Sequence, residues 1–81
     1  MTISEIVAIR LREIFYAKGL SLYKVCELCG MSSATLSCVV YNRYNSVNLK
    51  TIFIILQALN ISVLEFFDSP LFANLNTINL D

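Results

Sequence analysis

Residues 25–40 read VCELCGMSSATLSCVV, and how this stretch folds decides the architecture of the whole chain. Cys26 and Cys29 form a C-x-x-C with Cys38 nearby, a pattern that suggests a metal. The same letters read as a short helix, a glycine turn and a second helix. A structural zinc site takes four Cys or His ligands in tetrahedral geometry, and this chain has three cysteines and no histidine. Cys26 and Cys29 are three residues apart, on the inward face of one helix, where free cysteine behaves as a small buried hydrophobe. The two-helix reading accounts for more of the residues. Cys26, small and four before the glycine, lets the helices cross closely. Gly30 takes a positive φ without a Cβ clash. Met31, Leu36 and Val39 fill the angle between the helices. This spacing places a second helix in a major groove in helix-turn-helix proteins. No metal and no cofactor are expected.

Working outward, the flanking segments also read as helices. Thr2-Ile3-Ser4-Glu5 is a capping box that starts a first helix running to about Lys18. Its apolar stripe is Ile6 or Val7, Leu11, Ile14 and Phe15, and Gly19 is a left-handed stop. Ser21 caps the second helix, with Leu22, Val25, Cys26 and Cys29 inward. Ser32 caps the third, which ends near Tyr41 or Asn42. NRYNSVN, 42–48, is a polar loop. Asn48 caps a fourth helix from Leu49 to about Leu59. Ser62 to Glu65 forms a second capping box and opens a fifth helix, which Pro70 ends. No window alternates with period two, so strands are not expected. Residues 73–81 form a tail without period, which either frays or docks.

Composition narrows the function. Eighty-one residues make one domain with one core. Hydrophobic residues are 57% and mean hydropathy is +0.67, above the usual ~45–50% apolar share, so a partner is expected to cover part of the apolar surface. Six basic and six acidic residues give zero net charge, and hence no bulk electrostatic case for nucleic acid. Glu5, Arg10, Arg12 and Glu13 interrupt the N-terminal apolar run, unlike a signal peptide. Ile52 to Phe67 falls short of the ~20 apolar residues of a membrane span. The expected location is the cytoplasm, with the cysteines as thiols.

IRLREIFYAKGLS (9–21), LYKVCELCGMSSATLSCVV (22–40), NLKTIFIILQALNIS (48–62) and LEFF (64–67) together resemble the Cro/CI-type, or XRE-type, helix-turn-helix domain of bacterial and phage repressors. The resemblance covers about Ile6 to Phe72. It implies a compact all-α, five-helix, lambda-repressor-like domain over residues 1–72, with the tail at 73–81. It also implies double-stranded DNA as partner, helix 3 as the recognition element, two-fold dimers, no cofactor and no enzyme activity. At about 100° per residue, Ser33, Ala34, Ser37, Cys38 and Tyr41 share one side of helix 3, opposite Leu36, Val39 and Val40. The first set is the groove-facing surface. Relatives commonly hold Gln, Arg, Lys or Asn there, which make paired base contacts; these side chains are short. Val40 sits where some relatives hold a glutamate paired with the arginine matching Arg10. Ser32 caps the helix. Arg43, Asn45 and Asn48, with Lys50 and Thr51 at the start of helix 4, are the expected backbone contacts.

A second class of function competes. Helix 4 reads IFIILQAL, with Ile54 outward and Phe53 at the margin. With Phe66, Leu71 and Phe72 they form an expected apolar patch and a homodimer surface. Few basic residues and the short side chains of helix 3 favour a helix-turn-helix fold that has lost DNA binding and only pairs with proteins. The retained turn and the polar outer face favour DNA. An enzyme is not expected: there is no histidine, no paired carboxylate motif and no glycine-rich phosphate loop.

Overall fold

The computed structural model describes residues 1–44 and 47–80, and the fold is all-α with five helices. These are α1 (Ile3–Ala17), α2 (Leu22–Cys29), α3 (Ser33–Val40), α4 (Leu49–Leu59) and α5 (Val63–Phe67), followed by two 3₁₀ turns, Pro70–Phe72 and Leu75–Thr77. Local chemistry sets the boundaries. Thr2 and Glu5 close a reciprocal capping box on α1, with Glu5 N–H donating to Thr2 Oγ1 at 3.1 Å and Thr2 N–H to Glu5 Oε1 at 3.3 Å. Ser21, Ser32, Asn48 and Ser62 cap the other four helices. Gly19 and Gly30 take φ of +66° and +69°, where a Cβ would be strained. Asn60 ends α4 at φ +57°, a conformation asparagine tolerates.

The core draws on every helix. Leu11 and Phe15 of α1, Val25 of α2, Leu36 and Val40 of α3, Ile52, Ile55 and Leu56 of α4 and Phe66 of α5 form one cluster. Cys26, Cys29 and Met31 pack against it half-buried, so the inward period of the two cysteines is core packing. α2 lies against α3 and α4, and α1 against α3.

Three expectations need correction. Phe66 is not a surface residue: it is 0% exposed at the centre of the core. Its neighbour Phe67 is exposed instead, at 43%. Leu71 and Phe72 are half-buried, Phe72 lying 5.9 Å from the Phe66 ring and 4.8 Å from the Phe67 ring. The second capping box is half-formed. Ser62 Oγ accepts from Glu65 N–H at 3.0 Å, but the Glu65 carboxylate turns to Lys18 Nζ at 4.0 Å. Pro70 does not end α5, which stops at Phe67; it opens the first 3₁₀ turn.

The tail docks. Ile3 N–H donates to Asn79 O and Asn79 N–H to Met1 O, each at 2.9 Å. This single-residue parallel bridge ties the C-terminal segment to the start of α1. Among the described residues no helix is long and apolar enough to cross a membrane.

Candidate nucleic-acid interface

α3 stands with one side in the core and the other open. Leu36 and Val40 are buried, while Ser33, Ala34, Thr35 and Tyr41 are exposed. Ser37, Cys38 and Val39 are half-buried, so Val39 is less inward than its spacing suggests. Ser32 Oγ accepts from Thr35 N–H at 3.2 Å and donates to Thr35 Oγ1 at 2.9 Å, which fixes the first turn. The Ser37 hydroxyl donates to Ser33 O at 2.8 Å. Its proton is therefore spent, and toward a groove it offers only an acceptor oxygen.

Cys38, Asn48 and Thr51 meet in a crevice of about 350 Å³ between α3 and the start of α4, completed by Thr35, Val39 and Tyr44. Sequence reasoning passed over Thr35 and Tyr44. The signal for Tyr44 was the loop NRYN, which puts an aromatic beside Arg43. Lys50, next to Thr51 in the first turn of α4, is exposed, with its backbone N–H spent on Asn48 Oδ1 at 2.8 Å. In α2 the N–H of Lys24 is spent on Ser21 Oγ at 3.1 Å. Each cap thus takes one N–H from the set available to a phosphate, leaving the others of its first turn. Arg43 is exposed and pairs with no carboxylate among the described residues. Asn45 lies outside the described residues.

Zero net charge conceals a sorted distribution. Residues 20–64 carry Lys24, Arg43 and Lys50 against Glu27 alone. The rest of the chain holds Glu5, Glu13, Glu65, Asp68 and Asp81 against Arg10, Arg12 and Lys18. There Arg10 meets Glu13 at 3.4 Å and Lys18 meets Glu65 at 4.0 Å. The uncompensated positive charge therefore belongs to the helix-turn-helix half, and the local field governs an encounter more than the total does.

The arginine that reaches Val40 is Arg12, whose Nη1 donates to the Val40 carbonyl at 2.5 Å. Arg10 turns the other way and donates to Phe66 O at 2.7 Å and Glu65 O at 2.8 Å, closing the end of α5.

All three cysteines are free thiols, and among the described residues no cluster of His, Cys, Asp or Glu is placed to hold a metal ion. Burial, and then the neighbouring Cys26, push the Cys29 thiol above its usual range. The folded state therefore favours the neutral thiol; that stabilising preference is fully present below the range where free cysteine ionises and is lost as pH rises from there through the higher range of the folded thiol. Cys29 should react with iodoacetamide more slowly in the folded protein than in denaturant at neutral pH, measured by mass spectrometry. Equal rates would remove the buried placement.

A family model described as the Cro/C1-type HTH DNA-binding domain matches residues 10–70. No curated protein and no solved structure matches the chain.

Proposed function

The chain belongs to the Cro/C1-type helix-turn-helix DNA-binding family, and on that premise we propose that it is a dimeric, repressor-like transcriptional regulator acting in the cytoplasm. α3 would dock in the major groove of double-stranded DNA. One observation carries the proposal. The outer side of α3 is left open and is bordered by exposed cations, Arg43 and Lys50, on the positively charged half of the chain. Ser33 and Ser37 offer oxygens to base edges, Ala34 a methyl to thymine, and Cys38 and Tyr41 line the same face. Ser32, Arg43, Asn48, Lys50 and Thr51, with Asn45, serve the phosphates. Residues 1–72 would form the binding domain and 73–81 its tail, which Asn79 ties to the start of α1.

Short side chains set the character of the recognition. None of Ser33, Ala34, Ser37 and Cys38 makes the paired contacts worth roughly 1–3 kcal/mol each. Specificity is then modest, or comes from DNA shape. The test is a binding titration of wild type and Arg43→Ala at two salt concentrations on selected and random duplexes. Loss of one phosphate contact should lower the salt slope by about 0.9 per subunit and leave sequence preference unchanged. If wild type binds neither duplex at low salt, the protein-interaction reading replaces this one.

Exposed apolar side chains on α4 and α5 support self-association. Leu49 and Leu64 are 66% and 85% exposed, and Phe53, Val63 and Phe67 are also in solvent. Leu49 and Phe67 flank a groove of about 180 Å³ floored by Val7, Ile52 and Phe66. Ile54 is exposed too, but at 100° per residue it lies roughly 140° around α4 from Leu49. The dimer surface is therefore better centred on Leu49, Phe53 and Phe67 than on the expected Ile54, Phe66, Leu71 and Phe72. Sedimentation at micromolar concentration should show a dimer for wild type and a monomer for Phe67→Glu. A monomeric wild type would dispose of the dimer.

A further inference from the structure

We propose that Arg12 is a positioning residue for DNA binding, fixing the exit of α3 so that Tyr41 and Arg43 leave the recognition helix in one direction. The proposal rests on the DNA-binding function above. The carbonyls at the end of α3 have no partner within the helix. Ser37 O accepts from Tyr41 N–H at 3.0 Å, Cys38 O from Arg43 N–H at 3.0 Å and Val39 O from Asn42 N–H at 3.3 Å. With Asn42 at φ +52°, these bonds make a Schellman motif, in which a left-handed residue folds the chain back over the helix end. The motif leaves the Val40 carbonyl, and Arg12 Nη1 takes it at 2.5 Å.

Arg12 does more at this point than satisfy one oxygen. Its guanidinium lies 5.8 Å from the centroid of the Tyr41 ring, within cation–π range. Its charge stands at the negative end of the α3 dipole, and among the described residues no carboxylate pairs with it. Arg12 thus touches the last helical carbonyl and the capping ring, while the backbone of Arg43 is tied to the same turn through Cys38. Arg12 is itself exposed and fills no core volume. What it holds in place are two side chains assigned to the DNA face, so its loss should register in binding more than in folding.

The experiment uses the full chain and a random-sequence duplex at low and moderate salt. Variants are Arg12→Ala, Arg12→Lys, Arg43→Ala and the Arg12→Ala/Arg43→Ala double, with amide hydrogen exchange on wild type and Arg12→Ala. Arg12→Ala should weaken binding about tenfold, and the double variant should be much less than additive because Arg12 acts through its neighbours. Arg12→Lys should recover most of the loss, since lysine can donate one bond to the same carbonyl. The amides of Tyr41, Asn42 and Arg43 should exchange faster in Arg12→Ala while those of α4 do not. Wild-type affinity in Arg12→Ala overturns the proposal and leaves the DNA-binding function standing. Additive losses with a separate fall of about 0.9 in the salt slope overturn it by making Arg12 a phosphate contact. Faster exchange across α4 also overturns it, by making Arg12 a residue of the fold at large. If wild type binds no duplex at low salt, both fall together.

Discussion

Phe66→Ala should cost about 3–5 kcal/mol, the range for truncating a buried aromatic. Against a total of about 5–15 kcal/mol for a native domain, that removes a large part of the stability of so small a core. Phe66 is 0% exposed, and its ring stands edge-on to Phe67 at 5.0 Å and tilted to Phe72 at 5.9 Å. Its carbonyl accepts the 2.7 Å bond from Arg10, so a shift of this residue also disturbs the closure of α5. At about 4–8 °C per kcal/mol for a domain of this size, the midpoint should fall by at least about 12 °C, or the cooperative transition should vanish. Tyr16→Ala is the control: exposed at 90% and on neither proposed surface, it should stay within about 1 kcal/mol of wild type. Thermal unfolding followed by circular dichroism separates the two. A Phe66→Ala midpoint within a few degrees of wild type would mean that the cavity collapses or that Phe66 is not the centre of the core.

Phe66 and its neighbour Phe67, exposed at 43%, also show what the sequence could and could not reveal. Helix boundaries were legible because they rest on local chemistry: Thr2, Ser21, Ser32, Asn48 and Ser62 each place an oxygen over their own first turn, and Gly19 and Gly30 supply the left-handed stops. The long α1 and α4 show a period that separates inside from outside. α5 spans five residues, too few to reveal a face, so Phe66 and Phe67 could not be told apart. The docking of Asn79 on the start of α1 depends on a contact between the two ends of the chain, and no local pattern encodes it.

For the site, the split of α3 into an inward Leu36 and Val40 and an outward Ser33 and Ala34 followed from spacing alone. The crevice shared by Thr35, Tyr44 and Thr51 did not, because it forms where two elements meet. The two arginines of α1 mark the same boundary. They lie two apart, roughly 200° around the helix, so one closes α5 and the other α3. Which arginine reaches which end depends on the placement of those helices. The sorting of charge between the two halves of the chain was present in the letters but is invisible in a net charge of zero.

Ala34→Glu should abolish DNA binding, by two decades or more, without loss of fold. Two electrostatic effects of one carboxylate oppose each other at this position. Ala34 is the second residue of α3, exposed and near the Ser32 cap. A negative side chain in the first turn of a helix is stabilising by typically 0.3–1 kcal/mol, and glutamate has nearly the helix propensity of the best formers. The free protein should therefore unfold at the same temperature or slightly higher. If α3 enters the major groove, the same carboxylate is carried into the potential of the phosphates, where like-charge juxtaposition costs several kcal/mol. Self-association through α4 and α5 should be untouched. The measurements are a low-salt titration on a random duplex, a thermal melt and sedimentation, all on wild type and Ala34→Glu. A variant that melts like wild type, keeps its oligomeric state and no longer binds places the outer side of α3 against DNA. A variant that binds as tightly as wild type would show that DNA is held elsewhere and that the open side of α3 is not the recognition surface.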